Sequence, residues 1–331
     1  MKPLMRIFTI CAASMLLLAA GCNSTSNTSG PEPAFSLFVV QNGGTAGDSM
    51  LEFPANASGS IAPLSMVTGP RLTAFDAVAV DTLGNLYVSI HKGTAPSFVY
   101  QILVYAPPTA SGAATLTNTI TSSSLSNGIT SIAVDSTGEI YALSGNSIIV
   151  FAANAAANAT PLRQIAGNLT QIDYPIQIAV DAAQNVYVAN VNAGNILVFS
   201  STETGNTTPA GILSGVLTIL DTPSGVAVDS SGNIYVASFN QPSNSSVLLE
   251  FSPGSTGNVA PVRTLTSIAS NNIYGLAVDA LNNLYVCVQN PANGQFAVDV
   301  FSPTVSGSTA PTASITSTAW TNSILGQIAV R

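Results

Sequence analysis

The chain has 331 residues, of which 47% are hydrophobic and only 7% are charged. Its formal net charge is −8, from 7 Lys and Arg against 15 Asp and Glu, and an acidic surface of this kind repels phosphate backbones. The composition therefore argues against a nucleic-acid partner, and it is more typical of a secreted or envelope β-protein than of a cytosolic enzyme.

The N-terminal residues have the anatomy of a secretory signal. A positively charged start is followed by an apolar stretch over 7–18, which is too short to cross a membrane comfortably. The stretch leads into Ala-Ala-Gly-Cys at 19–22, which resembles the lipobox of bacterial lipoproteins, although Ala19 stands where that motif usually has Leu. The resemblance implies that residues 1–21 are a signal peptide and that Cys22 is lipidated.

Lipidation would place the protein in the bacterial cell envelope, because two or three acyl chains anchor a protein firmly to a membrane. Asn23 follows the cysteine, and this resembles an outer-membrane address facing the periplasm or the exterior. The alternative is an ordinary secretory signal cleaved near Ala20, which would leave Cys22 as a free thiol. Residues 22–35 are polar and lack periodicity, which predicts a flexible tether.

A repeat of roughly 50 residues organises the remainder of the chain. Ala-Val-Asp occurs at 79–81, 133–135, 179–181, 227–229 and 277–279. Each copy is followed by a turn and a β-rich run, as in Gly232-Asn233 before Ile234-Tyr235-Val236, which is typical of a hairpin. Further apolar runs, such as 248–251 and 262–265, supply a third and a fourth strand. Four strands per repeat predict one propeller blade.

The two ends of the chain supply complementary fragments of one more blade. Residues 327–331 read as a first strand with Arg331 in the Asp place, whereas 37–40, 51–53 and 64–67 read as second, third and fourth strands. The sequence therefore predicts an all-β fold over 36–331, a six-bladed β-propeller of four-stranded antiparallel blades whose last blade is closed by strands from both termini. Such closure leaves no exposed inner edge, and we expect a monomer.

An alanine stands two residues before each Asp position, and Val, Ile or Leu flank it. Near the axis of a propeller, one face of the innermost strand has room for only a methyl group. The six alanines are Ala79, Ala133, Ala179, Ala227, Ala277 and Ala329.

The repeat resembles the NHL family of β-propellers. The residues that carry the resemblance are Pro-x-Gly-Val-Ala-Val-Asp-x-x-Gly-Asn-Ile-Tyr-Val-Ala at 223–237 and its degenerate copies, which span about 36–331. Glu139 in place of Asn and Arg331 in place of Asp are departures from the pattern. The resemblance implies the fold and says little about function, because function depends on the site that a fold carries.

The acids that end the first strands are interpreted as structural. They lie directly before a turn, where an Asp side chain accepts hydrogen bonds from backbone N–H groups. In the usual propeller arrangement these turns lie on the lower face, away from most ligand sites. The five acids are Asp81, Asp135, Asp181, Asp229 and Asp279. Two of the three cysteines, Cys11 and Cys22, lie in the N-terminal segment, so no disulfide framework is expected. Cys287 lies in a strand pattern and is predicted to be a buried packing residue.

The upper face should be built from the loops that enter the first strands and those that join the second to the third. Aromatic and acidic side chains around a shallow mouth suit sugars or basic peptides. The alternative is that they cap the core beneath the loops. The candidates for ligand binding are Asp48, Phe75, Asp76, His91, Lys92, Tyr174, Gln177, Phe239, Tyr274, Trp320 and Gln327, with Asp173 and Asp221 as further loop acids. His91 and Lys92 are read as loop residues.

Enzymes of neighbouring propeller families, such as gluconolactonase-like hydrolases and amidating or streptogramin lyases, resemble this fold and use axial metals or a catalytic His. The positions expected to line the upper axis hold one acid and no His, so we predict no catalytic residue, no metal ligands and no cofactor. The leading hypothesis is a non-enzymatic, membrane-anchored binding or scaffold module for a glycan, peptide or envelope protein. The alternative is a hydrolase or lyase with a cation near Asp76, Gln177 and Gln327.

Overall fold

Antiparallel β-sheet accounts for most of the regular structure in this chain. The computed structural model describes residues 36–43, 48–67, 75–93, 97–108, 114–268, 272–320 and 323–331, and every structural statement below concerns these residues. The predicted signal peptide, Cys22 and the predicted tether lie outside them.

Six sheets form the blades, and in each sheet the first strand lies at the axis and the fourth at the rim. Blade 1 consists of β25 (Ser323–Val330), β1 (Ser36–Gly43), β2 (Ser49–Pro54) and β4 (Ser65–Val67). Blade 2 consists of β5 (Phe75–Val80), β6 (Leu86–Lys92), β7 (Val99–Tyr105) and β8 (Leu116–Ile120). Blade 3 consists of β9 (Ser131–Val134), β10 (Ile140–Leu143), β11 (Ser147–Phe151) and β12 (Arg163–Ala166).

The other three blades repeat this order. Blade 4 consists of β13 (Pro175–Val180), β14 (Val186–Asn190), β15 (Asn195–Phe199) and β16 (Gly211–Leu213). Blade 5 consists of β17 (Thr222–Val228), β18 (Ile234–Asn240), β19 (Ser245–Phe251) and β20 (Arg263–Leu265). Blade 6 consists of β21 (Asn272–Val278), β22 (Leu284–Gln289), β23 (Phe296–Phe301) and β24 (Ala313–Thr316), and the short β3 (Gly59–Ser60) of blade 1 pairs with its outer edge.

Four short 3₁₀ helices lie in connections that enter first strands. They are η1 (Ser123–Leu125), η2 (Asn168–Thr170), η3 (Val216–Thr218) and η4 (Thr318–Trp320). The η2 and η3 connections lie at the same position of the repeat, before β13 and β17.

The predicted closure by both termini is confirmed. Strand β1 pairs antiparallel with β25, so that Leu37 faces Val330 and Phe38 faces Ala329. The last residue, Arg331, donates its N–H to the carbonyl of Ser36 at 3.1 Å. The six-bladed, four-stranded antiparallel architecture expected from the repeat is therefore the architecture of the protein.

The hydrophobic core lies between neighbouring blades. In the wedge between blades 4 and 5, Tyr187 and Ile196 of one blade pack with Val226 and Ile234 of the next. An equivalent cluster fills each of the other wedges. Both faces of each sheet are therefore buried, which explains the nearly continuous apolar runs of the second and third strands.

The ring of alanines lies where the innermost strands converge. Ala227 packs towards blade 6, in the cluster that contains Leu276 and Leu284. Its neighbour Val226 packs towards blade 4. Successive side chains of a strand point to opposite faces, so each innermost strand presents alanine to one neighbour and a larger residue to the other.

The turn after the first strand is built around its Asp. Asp229 Oδ1 accepts hydrogen bonds from the N–H groups of Ser231 and Asn233 at 2.9 Å each, and Oδ2 accepts from Asn233 Nδ2 at 2.8 Å and the Tyr235 hydroxyl at 3.0 Å. The same four donors recur at three further blades, around Asp81, Asp181 and Asp279.

At Asp135, a residue of the next blade takes the place of the Asn side-chain donor. Glu139 stands where the other turns have Asn, and Gln184 Nε2 donates to Asp135 Oδ2 at 2.7 Å. Gln184 occupies the left-handed position of its own turn, with φ of 63°, where Gly84 and Gly232 have φ of 86°. The turn acids therefore bind groups of the protein itself.

The tyrosines of these turns stay protonated over the ordinary pH range. Burial, together with the carboxylate of Asp81, raises the pKa of Tyr87 to about 12. Burial and nearby carboxylates likewise raise the pKa of the equivalent residues, Tyr141, Tyr187, Tyr235 and Tyr285. Each tyrosine hydroxyl can thus remain a donor to its Asp.

Neighbouring blades are also joined at the rim. Gly205 of blade 4 donates its N–H to the carbonyl of Gln164 at 2.7 Å and accepts from the N–H of Ala166 at 3.0 Å. Gly257 and Gly307 make the same parallel bridges one and two blades further on. The small-residue segment of the repeat is therefore a strap between blades.

An arginine strengthens one of these straps. Arg263 forms an ion pair with Glu250 of its own blade. Its Nη1 donates to the carbonyls of Ser302 and Val305 of blade 6 at 3.1 and 3.0 Å.

Cys287 is fully buried, as expected, and burial raises the pKa of its thiol.

Substitution of Ala227 by Leu should lower the free energy of unfolding by about 1–3 kcal/mol. The added atoms must fit into the packed core cluster that also contains Leu276 and Leu284. Denaturant titration measures this difference. Ala182→Leu, at an exposed alanine of a lower-face turn, is the matched control and should change stability little. Equal stability of the two variants would contradict the packing described for the alanine ring.

Candidate functional site

A channel of about 160 Å³ runs along the axis, lined by residues of all six innermost strands. Its lining extends from Gln177 and Gln327 to the valines that precede the Asp turns, such as Val228 and Val278. The innermost strands have no partner strand on the axial side, so their backbone groups on that side need other partners.

Gln177 bridges strands at the upper end of this channel. Its Nε2 donates to the carbonyl of Leu276 in blade 6 at 2.9 Å, and its Oε1 accepts from the N–H of Val226 in blade 5 at 3.2 Å. A Cβ at position 225 would lie 2.7 Å from that oxygen. Gly225 therefore makes room for the Gln177 amide.

Gln327 makes the corresponding bridge from blade 1. Its Nε2 donates to the carbonyls of Thr130 and Ile176 at 2.9 and 3.2 Å, and its Oε1 accepts from the hydroxyl of Ser131 at 3.2 Å. Ser131 also accepts from the N–H of Ile178 at 3.2 Å. Both predicted axial glutamines are buried, and their amides bind strands across the axis.

Asp76 and His91 lie together on blade 2. Asp76 Oδ2 is 3.2 Å from His91 Nδ1, and the two side chains are 28% and 27% exposed. Burial raises the pKa of Asp76, although the hydrogen bond and charge of His91 act in the opposite direction. The His91 ring packs edge-on to Phe98, with centroids 4.9 Å apart, and tilted to Tyr100 at 5.9 Å. We call these four residues the His91 cluster.

The expected loop position of His91 and Lys92 differs from the structure. Both belong to β6, opposite Tyr100 and Val99 of β7, because backbone pairing carries the hairpin further than the sequence pattern indicates. Phe98 and Tyr100 were missed for the same reason, since the third strand of this blade begins after a long connection.

A second region on the upper face lies between blades 3 and 4. It is a groove of about 480 Å³, which we call the Asn groove. The η1–β9 connection, the β10–β11 hairpin and the connection that contains η2 form its walls. The lining residues are Asn127, Asn146, Ser147, Gly167, Asn168, Gln171, Ile172 and Asp173.

Several amides of the Asn groove have no partner within the described part of the chain. The side chains of Asn127, Asn168 and Gln171 are exposed and make no hydrogen bond there. Asp173 accepts from Asn192 Nδ2 at 3.1 Å through Oδ1, and its Oδ2 has no hydrogen-bond partner among the described residues. The groove thus presents both donors and acceptors to solvent.

Tyr174 directly follows the lining residue Asp173 and has a strained backbone conformation. It is 64% exposed and has φ of 56°, although it is neither Gly nor Asn and Pro175 follows it. Its N–H donates to Oδ1 of the groove residue Asn146 at 3.3 Å. Strain of this kind persists where the surrounding structure holds it and often accompanies a functional site.

Two of the predicted aromatic residues pack with other rings. Trp320 is only 5% exposed and packs edge-on to Phe53, with centroids 5.2 Å apart. Tyr274 packs edge-on to Phe296 at 5.4 Å and donates its hydroxyl to Gln289 Oε1 at 3.0 Å. Trp320 therefore belongs to the hydrophobic core beneath the loops.

The lining of the Asn groove does not include Asp48, Phe75 or Phe239. Asp48 accepts from the N–H of Gly43 at 2.8 Å. Phe239, read as a loop residue, belongs to β18. Phe75 begins β5, and its side chain lies outside the described part.

The η3 connection presents an apolar surface that the sequence reasoning missed. Val216 is 86% exposed, and Leu217 and Ile219 are also exposed. Ile219 has φ of 62°, which is unusual for a β-branched residue. Gln171 occupies the equivalent position of the η2 connection with φ of 59°, so the two loops share a backbone and differ in chemistry.

The described residues contain neither a metal-binding cluster nor a membrane-spanning helix. No group of three or more His, Cys, Asp or Glu side chains there is arranged to hold a metal ion. None of the helices there has the length and apolarity needed to cross a membrane.

Sequence comparison supports a propeller repeat. A family model described as a β-propeller repeat matches residues 213–238, which run from the end of β16 into β18. Its description does not specify the NHL type, so that resemblance stays a prediction. No curated protein matches the sequence.

Solved structures share the fold at low sequence identity. A Bacteroides caccae protein of unknown function has a TM-score of 0.57 at 11% identity, covering 90% of this chain and 98% of its own. A periplasmic gluconolactonase from Pseudomonas aeruginosa has 0.55 at 13%, covering 82% and 80%. A PQQ-bound aldose sugar dehydrogenase from Streptomyces coelicolor has 0.52 at 14%, covering 82% and 88%. These likenesses establish the propeller fold alone.

Gln177→Met keeps the length of the side chain but removes its hydrogen bonds, which leaves Leu276 O and Val226 N without this partner. We expect a loss of about 1–3 kcal/mol in the free energy of unfolding for each such buried group. Denaturant titration compares it with Gln164→Met, at an exposed glutamine of β12. Equal loss in the two variants would contradict the bridging role of Gln177.

Proposed function

We propose that this protein is a non-enzymatic binding module of the bacterial cell envelope, tethered through lipidated Cys22 and acting as a monomer. The observation that carries the proposal is a difference between two sets of amide side chains on the upper face, those at the axis and those in the Asn groove. The axial amides of Gln177 and Gln327 already bind protein groups. Amides that have no partner among the described residues lie instead in the Asn groove, where a ligand from solvent can reach them.

The second candidate is a hydrolase, which the Asp76–His91 pair favours. A carboxylate that binds Nδ1 orients an imidazole so that its other nitrogen can take a proton from a nucleophile. A cation held by Asp76, Gln177 and Gln327 fits less well, because Gln177 Oε1 and Gln327 Oε1 accept from Val226 N–H and Ser131 Oγ–H. The enzymatic candidate therefore depends on His91 more than on a metal.

An assay of the full chain with δ-gluconolactone separates the two candidates, since one similar fold is a gluconolactonase. The proposal predicts hydrolysis at the spontaneous rate, unchanged by a chelator. A faster rate that is lost in His91→Gln and kept in Lys92→Gln would contradict the binding role in favour of the hydrolase.

The anchor is tested independently by cell fractionation. With Cys22 intact, the protein should sediment with membranes, and Cys22→Ser should release it into the soluble fraction because the thiol that accepts the diacylglycerol is lost. Ser26→Cys in the Cys22→Ser background controls for the mere presence of a thiol and should remain soluble. Soluble wild-type protein would refute the anchor and leave the binding role standing.

A further inference from the structure

We infer that the Asn groove between blades 3 and 4 binds an uncharged, hydroxyl-rich saccharide. This inference names the ligand class and the place for the binding role, and it rests on the proposed function. The groove is formed by separate loops of two blades and does not include the axial glutamines.

The walls of the groove offer hydrogen-bonding groups that match those of a sugar. Each amide side chain offers two N–H donors and a carbonyl acceptor. A sugar hydroxyl is also a donor and an acceptor, so neighbouring hydroxyls can each pair with an amide. Asn127, Asn168 and Gln171 supply three such amides from two loops, without partners in the described part of the chain. The Oδ2 of Asp173 adds an acceptor for a hydroxyl.

The charge and the size of the groove favour a small neutral ligand. Among the described residues, the lining includes one acid, Asp173, and no Lys, Arg or His. An anionic ligand such as a phosphate or a uronic acid would meet a carboxylate with no compensating cation. The volume of about 480 Å³ lies within the range of roughly 300–1,000 Å³ that is usual for small-molecule sites. These properties favour a short neutral saccharide.

Local backbone geometry holds the residues of the groove in place. Gly145 has φ of 54°, and a Cβ there would lie 2.9 Å from Cβ of Asn127. The Asn127 side chain therefore packs over a glycine that leaves room for it. Directly after the lining residue Asp173, the strained backbone of Tyr174 donates its N–H to Oδ1 of the lining residue Asn146. The Tyr174 ring is 64% exposed beside the groove, and an exposed aromatic ring is an apolar face on which a sugar ring can stack.

The equivalent loop one blade further on has apolar residues in place of the amides. The sequence Gly-Asn-Leu-Thr-Gln-Ile-Asp at 167–173 corresponds to Gly-Val-Leu-Thr-Ile-Leu-Asp at 215–221. Asn168 and Gln171 thus occupy positions that Val216 and Ile219 fill in the same local backbone. The repeat fold does not require amides at these positions, so their presence is not explained by folding.

This correspondence supplies a variant that keeps the fold. The double substitution Asn168→Val and Gln171→Ile installs side chains that the chain already tolerates one blade further on. Its matched control, Val216→Asn with Ile219→Gln, makes the reverse change outside the groove. Tyr174→Ala tests the ring, and Tyr274→Ala, at an exposed tyrosine of blade 6, is its control.

Isothermal titration of the full chain should use maltotriose, cellotriose, xylotriose and chitotriose, with trigalacturonate as the anionic probe. We expect at least one neutral trisaccharide to bind and trigalacturonate not to bind. The Asn168→Val, Gln171→Ile variant and Tyr174→Ala should each weaken binding about tenfold or more, as the loss of one or two hydrogen bonds or of a stacking face implies. Both controls should keep the affinity of the wild type.

Two results would overturn the inference and separate it from the proposed function. Saccharide binding that survives the groove variants but is lost in His91→Gln would move the site to the His91 cluster and keep the binding role. No binding of any neutral trisaccharide would refute the saccharide site. If lactone hydrolysis dependent on His91 accompanied it, the binding role itself would fail.

Discussion

The convergence of six innermost strands on one axis is the constraint on which this structure depends. Each of these strands has a partner on its outer side only, so its inner backbone edge must find other groups, and neighbouring strands approach so closely that one face admits only alanine. Gln177 and Gln327 meet part of the first requirement by reaching across the axis. The ring of alanines meets the second. Both solutions use up positions that could otherwise have held a ligand.

On the lower face, too, polar side chains bind groups of the protein itself. The Asp of each turn binds two backbone N–H groups, a tyrosine hydroxyl and, in four blades, an Asn side chain. This set ties the first strand to the second and keeps the carboxylate satisfied within its own blade. Asp135 departs from the set and accepts from Gln184 of blade 4 instead, which turns a local fastening into a contact between blades. Together with the glycine straps at the rim, such contacts hold the wedge-shaped cores together.

Chemistry that is not needed for folding therefore concentrates where the repeat varies. The connections that contain η2 and η3 share their backbone, including a left-handed residue at Gln171 and Ile219, yet one presents amides and the other an exposed apolar surface. The His91 cluster likewise lies at the start of β5, at the end of β6 and where the chain enters β7, outside the repeated Ala-Val-Asp run of the first strand. A propeller can change the upper rim of one blade in this way without disturbing its axis.

The sequence by itself determined the blade count, the four-strand order, the closure by both termini and the alanine ring, because these follow from periodic apolar patterns and from turn residues at fixed offsets. It also pointed to Gln177, Asp76, His91 and Tyr174 as notable side chains. Only the tertiary structure decided their partners: Gln177 bonds across the axis to Leu276, and Asp76 meets His91 on the next strand. It alone revealed the groove between Asn127 and Asn168, since these residues come from different blades. No local pattern records a distance between loops that are brought together by closing the ring.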